Sequence, residues 1–283
     1  MSIQVVKPDW KVPSHVKACT TTVHGGVSKG VYKGLNLGDH VNDDLTLVSE
    51  NRLIAKKELG LPNEPSWLTQ VHGVEVVDAN SSLKAESLMA EGSQITAEGS
   101  QISQITAEGS QTSQTIAEGS QLIADGSYTF SPAVVCAILT ADCMPLFLSS
   151  KSGDRVALVH AGWRGLADGI IEQGVDRLDC ARDELVAWAG PCIGPDAFEI
   201  GDDVRQQLGG ANSAYKRSSN STGENVKWFA NLYQLAGERL ASIGVHQYSH
   251  SQVCTYTDER FYSYRRTGQC GRMASFIWID KPL

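Results

Sequence analysis

Two short apolar runs constrain this chain most, Val134-Val135-Cys136-Ala137-Ile138-Leu139 and Val156-Ala157-Leu158-Val159, because each leads straight into a turn that carries a reactive side chain. Uninterrupted apolar runs of about four to eight residues, bounded by turn signals, read as strands buried on both faces. The first run enters Ala141-Asp142-Cys143-Met144, and the second enters His160-Ala161-Gly162-Trp163-Arg164-Gly165. The pattern therefore calls for an interior sheet that delivers a thiol and an imidazole to its strand ends.

Further strands are expected at 74–78, 185–189 and 275–279. Helical spacing of apolar residues appears at Leu45, Val48, Leu53 and Leu59, with Gly60 and Pro62 as the stop. A second helix is expected from Leu166, Ile170, Ile171, Val175 and Leu178, directly after the Gly-Trp-Arg-Gly turn, which puts Arg164 at a helix start where anions are stabilised. A third spans Trp228 to Ile243, with Gly244 after it. The expected class is α+β, mixed β-sheets with flanking helices, in one domain over residues 1–283.

Residues 90–127 interrupt that pattern. Ala-Glu-Gly-Ser-Gln recurs from Ala90, Ala97, Ala107 and Ala117, and the run closes with Ala124-Asp125-Gly126-Ser127. The tract has few large apolar side chains per repeat, so it reads as an inserted low-complexity loop, with a short β-solenoid built on isoleucines 95, 102, 105 and 116 as the alternative.

Composition narrows the partners. A net charge of −8 argues against nucleic acid, whose binders carry a basic stripe, and favours a small-molecule substrate. No apolar run approaches the ~20 residues that span a bilayer, and the first residues lack a signal-peptide core, so no membrane partner and a cytoplasmic location are expected. Seven cysteines without a CxxC pair fit free thiols in a reducing compartment. Oligomeric state is left open.

A third donor, His72, stands in Thr69-Gln70-Val71-His72-Gly73. His72, Cys143 and His160 together make three zinc donors, and three leave a coordination position for water or substrate, as catalytic metal sites require. The plain alternative for each is structural: a small buried Cys, or a hydrogen-bonded His at a strand end. Glu199, beside the Gly190-Pro191-Cys192-Ile193-Gly194-Pro195 turns, is a candidate acid or base, or a cap of a helix starting near Asp202. Asp142 is a second candidate proton carrier. Tyr264 and Arg265, in Phe261-Tyr262-Ser263-Tyr264-Arg265-Arg266, offer an aromatic face and a guanidinium for a heterocyclic base or an anion.

Thr-Gln-Val-His-Gly, Ala-Asp-Cys-Met-Pro, His-Ala-Gly-Trp-Arg-Gly, Gly-Pro-Cys-Ile-Gly-Pro and Phe-Tyr-Ser-Tyr-Arg-Arg, in that order, resemble the laccase-domain, or multicopper polyphenol oxidase-like, family. The resemblance runs from Thr21 almost to the C-terminus, and the repeat tract departs from the family's usual length. It implies a fold similar to cysteine-hydrolase-like toxin domains and a metal held by His72, Cys143 and His160, zinc most often and copper for the oxidase assignment. It also implies purine nucleoside phosphorylase activity, a side activity in adenosine deamination and, in some bacteria, peptidoglycan editing. For the editing reaction Cys143 and His160 form a metal-free nucleophile and base. True multicopper oxidation fits poorly with seven scattered histidines and no His-X-His pair.

Overall fold

A computed structural model describes residues 2–81 and 122–280. Most of the repeat tract lies outside the described residues. A four-stranded sheet runs in the order β1 (Val5–Val6), β2 (Val16–Thr21), β15 (Met273–Ile279), β7 (Val135–Thr140). A six-stranded sheet runs β14 (Gln247–His250), β10 (Leu185–Ala189), β8 (Met144–Ser150), β9 (Val156–Ala161), β6 (Gly126–Thr129), β4 (Val76–Asp78). Two smaller sheets join β11 (Glu199–Gly201), β13 (Lys227–Ala230) and β12 (Tyr215–Arg217), and β3 (Leu68–Thr69) with β5 (Leu122–Ile123). Parallel pairs β10–β14 and β4–β6 among antiparallel neighbours make the large sheet mixed. The fold is of the mixed α and β class.

The two large sheets stack face to face. Side chains alternate across a strand, so Phe147 of β8 points to the inter-sheet core with Cys136, Ile138, Leu158, Trp188 and Ile277, while Leu146 and Leu148 point to the far face. That far face is covered by α2 (Trp163–Asp168), α3 (Ile170–Arg177) and α5 (Leu232–Ser242), through Leu166, Ile170, Ile171, Val175, Leu235 and Leu240. On the outer face of the smaller stack, Val135, Ala137, Leu139 and Phe276 pack on Ala55 of α1 (Leu45–Leu59) and on Leu35 and Leu37. Every residue of β7, β8, β9, β10 and β15 is buried. Their continuous apolar runs follow from this sandwiching.

The α1 boundaries match the sequence expectation. Asp44 caps the start by accepting from the Thr46 N–H at 2.9 Å, and Gly60 ends the helix at φ +62°. Two expectations need correction. The helix expected from Leu166 to Leu178 is two helices, because Gly169 adopts φ +99° between α2 and α3. The one expected over Trp228–Ile243 begins at Leu232, capped by Asn231, because Lys227–Ala230 pairs as β13 between β11 and β12. Two further α-helices among the described residues are α4 (Asp202–Leu208) and the short α6 (Tyr264–Thr267).

Residues 122–127 also differ from the expected loop. Leu122 and Ile123 form β5, Gly126 opens β6, and Ala124 and Asp125 between them are fully buried. All seven cysteines are free. Among the described residues no helix is long and apolar enough to cross a membrane.

Candidate metal centre and substrate cavity

Strand register brings the site together. β8 and β9 run antiparallel with Met144 opposite Ala161 and Pro145 opposite His160, so Cys143, just before β8, stands at the sheet end where β9 delivers His160. β3 pairs in parallel with β5, which sends the 70–73 turn and residues 124–125 off side by side toward the same end. Gln70 fastens that turn to β7, donating from Nε2 to the Leu139 carbonyl at 2.9 Å and accepting the Leu139 N–H at 2.7 Å.

His72, Cys143 and His160 converge there, with their donor atoms all within 4.8 Å of one another. Cys143 Sγ lies 4.0 Å from His72 Nε2, and the two imidazoles meet edge to face at 4.8 Å between centroids. His160 is buried, Cys143 half-buried and His72 exposed, so the trio opens on one side only. The donors fit a zinc ion: one thiol and two imidazoles match its tetrahedral preference and leave a fourth position. Space is kept clear by Gly162, where a Cβ would sit 3.1 Å from Cys143 Sγ and 3.2 Å from His72 Cδ2. At Gly165 a Cβ would come within 2.9 Å of the Gly73 carbonyl, so α2 can approach the His72 turn only with glycine there.

The electrostatics match a ligand set. Burial pushes the Cys143 thiol up, but the charge and hydrogen bonds of His160, then those of His72, outweigh it and hold it at about 6. Burial pushes His160 down, yet the Cys143 thiolate and the Asp125 carboxylate raise it to about 9. The two shifts run in opposite directions because each group favours the charged form of the other. Elsewhere burial pushes the Cys19 and Cys136 thiols up to about 12, leaving them as inert core groups.

Asp125, which sequence reading passed over, stands behind the trio. Its carboxylate accepts His160 Nδ1 at 2.8 Å and the backbone N–H groups of Val71, His72 and Gly73 at 3.1, 2.9 and 2.6 Å. The signal was hidden in the Ala-Asp-Gly-Ser closure of the repeat tract. Burial pushes this carboxyl up, but the His160 hydrogen bond and the Gly73 N–H hold it below the usual carboxylate range.

A cavity of about 410 Å³ lies over the trio, walled by Trp163, Phe198, Ile193 and Leu232 and rimmed by His40, Arg164, Tyr264, Arg265 and Arg272. The exposed Arg164 guanidinium lies over the Trp163 ring at 4.4 Å and has no hydrogen-bond or ion-pair partner among the described residues. Arg265 is differently employed. Its guanidinium donates to the Ala197 and Glu199 carbonyls at 3.3 and 3.1 Å and packs near Phe198, which fixes the 197–199 loop as a cavity wall. Asp142 is also committed, accepting the Thr255 hydroxyl at 2.6 Å and the Arg265 N–H at 2.7 Å, so it holds the 255 and 265 segments beside Cys143 and has both oxygens occupied. Glu199 does not join the cavity. Its carboxylate accepts from Ser218 and from Asn220 at 2.8 Å and lies 3.5 Å from Lys227 Nζ, turned toward the small three-stranded sheet. Those hydrogen bonds, from Ser218 first, hold it below the usual range, which suits a structural anion better than a proton donor.

Residues 17–280 match the family model described as multi-copper polyphenol oxidoreductase laccase. A purine nucleoside phosphorylase of Pseudomonas aeruginosa is 40% identical over 96% of this chain and 97% of its own length. A purine nucleoside phosphorylase of Haemophilus influenzae is 37% identical over 98% and 100%, and the one named YfiH in Escherichia coli is 38% identical over 98% and 99%. Among solved structures, a Neisseria meningitidis protein superposes with a TM-score of 0.79 at 34% identity, covering 98% of this chain and 99% of its own. YlmD of Geobacillus stearothermophilus gives 0.76 at 28% identity, covering 95% and 93%.

Proposed function

This chain belongs to the multi-copper polyphenol oxidoreductase laccase family, and from that membership we propose that it is a metal-dependent purine nucleoside phosphorylase. Adenosine and inosine are the substrates in this reading, cleaved by phosphate to ribose 1-phosphate and free base, with adenosine deamination as a side activity. The metal is zinc, with copper as the other ion that a thiolate and two imidazoles accept. The same reading treats residues 1–283 as one domain with the repeat tract as an insertion.

What supports it is one cavity that combines three metal donors, a guanidinium that has no hydrogen-bond or ion-pair partner among the described residues, and aromatic walls. Phosphorolysis breaks the C1′–N9 bond and forms a C1′–O bond to phosphate through an oxocarbenium-like sugar, as in other glycosyl transfers. Arg164 suits the phosphate, since a guanidinium fork matches its oxygens. Trp163, Phe198 and Tyr264 suit the flat base, Tyr264 with 61% of its surface exposed. A zinc held by His72, Cys143 and His160 would supply a Lewis acid with one open position. Arg265 and Asp142 keep the cavity wall in place.

The direct test is release of hypoxanthine from inosine by purified protein, with and without phosphate. Release that requires phosphate and yields ribose 1-phosphate is expected. A protein of full zinc content that releases none removes the proposal.

The closeness of Cys143 Sγ and the His160 ring, with donor atoms within 4.8 Å, favours one second reading, hydrolytic editing of peptidoglycan precursors with Cys143 as nucleophile and His160 as base. That reading predicts altered peptide stems in a deletion strain with unchanged nucleoside pools. Polyphenol oxidation by several coppers is the weaker family assignment, because the described residues present one three-donor group.

A further inference from the structure

We propose that Asp125 is the positioning residue that holds His72 and His160 as a matched pair of metal ligands. Its side chain is fully buried, and its two oxygens accept four donors from two segments far apart in sequence. Oδ1 takes the His72 N–H and His160 Nδ1, while Oδ2 takes the Gly73 and Val71 N–H groups.

Two consequences follow for the ligands. The hydrogen on His160 Nδ1 is committed to Asp125, so only Nε2 offers a lone pair toward Cys143. His72 holds φ +62°, a left-handed backbone that a residue with a Cβ rarely adopts. Three consecutive N–H groups aimed at one carboxylate stabilise that turn. The backbone of residue 125 adds a further tie, since its carbonyl accepts the His160 N–H at 2.7 Å. One side chain therefore sets both which nitrogen His160 presents and where His72 stands.

This role rests on the trio as a metal site and is independent of the nucleoside chemistry. Asp125→Asn keeps the shape but turns one oxygen into an N–H₂ donor. If that donor replaces Oδ1 it opposes His72 N–H and His160 Nδ1–H, and if it replaces Oδ2 it opposes Val71 and Gly73. Either orientation sets a donor against two donors.

The experiment is zinc competition against a chromophoric chelator for the full chain and for Asp125→Asn, with ¹⁵N–¹H long-range correlation of the histidine rings in the zinc-loaded proteins. The zinc Kd of the variant should rise about 10–100-fold, the usual cost of removing a partner behind a ligand. The wild-type spectrum should show His160 bound through Nε2 with a slowly exchanging Nδ1–H, and the variant should lose that proton signal. A Kd within twofold of wild type overturns the role. So does wild-type ligation through His160 Nδ1, a readout that stands even where the variant fails to fold. A wild-type chain that takes up no zinc overturns the metal site and this role with it. Absence of phosphorolysis would remove only the proposed activity.

Discussion

His160→Ala should lower phosphate-dependent cleavage of inosine by more than about 100-fold. Losing a partner behind a metal ligand costs roughly 10–100-fold, and losing the ligand itself must cost more. His160 also links Asp125 and Cys143, with its Nδ1 2.8 Å from the carboxylate of one and its donor nitrogen within 4.8 Å of the sulfur of the other. Its removal leaves a buried carboxylate short of a donor, at a stability cost of about 1–3 kcal/mol. Cys143→Ser separates the two effects, because it keeps the volume and removes the thiolate. Both variants should retain cooperative thermal unfolding and lose bound zinc. Wild-type turnover by either one would show that the trio is not the reacting centre.

Arg164→Ala should raise the KM for phosphate about 10–100-fold while the KM for the nucleoside stays within about threefold. Charge-assisted hydrogen bonds contribute about 1.5–3 kcal/mol, and each 1.4 kcal/mol is a factor of ten in affinity. Stability should change by no more than about 0.5 kcal/mol, since the side chain is exposed and bonded to no described neighbour. Arg164→Lys should recover part of the loss, keeping the charge without the planar fork. An unchanged phosphate KM in steady-state kinetics would move the anion site away from α2, toward Arg272 and the His40 ring elsewhere on the rim.

Cys143 and His160 were legible because each stands at the end of an apolar run, and a turn right after a buried strand must surface at a sheet end. His72 was legible more weakly, from the strand expected at 74–78, of which Val76–Asp78 forms β4. The β7, β9, β10 and β15 strands were legible for the same reason. β8 was not, although it is central, because Pro145 and the Ser149-Ser150 pair interrupt its apolar signal and only burial on both faces makes it a strand. Glu199 looked reactive from its neighbours. Sequence does not say which way a side chain leaves its strand, and here it turns to Ser218, Asn220 and Lys227. Arg265 likewise looked like a ligand for a base, but its guanidinium is bound to the Ala197 and Glu199 carbonyls. Asp125 was hidden for a compositional reason: Ala-Asp-Gly-Ser mimics the Ala-Glu-Gly-Ser repeat before it. Its burial depends on β5 pairing with β3 and β6 pairing with β9, contacts between segments distant in sequence.

Zinc K-edge absorption of the protein purified without added metal and then loaded to one equivalent tests the convergence of these three side chains most directly. The expected spectrum contains one sulfur at about 2.3 Å and two imidazole nitrogens at about 2.0 Å, with a further light-atom donor completing four. A first shell without sulfur, or with only one imidazole, would contradict a centre built from His72, Cys143 and His160.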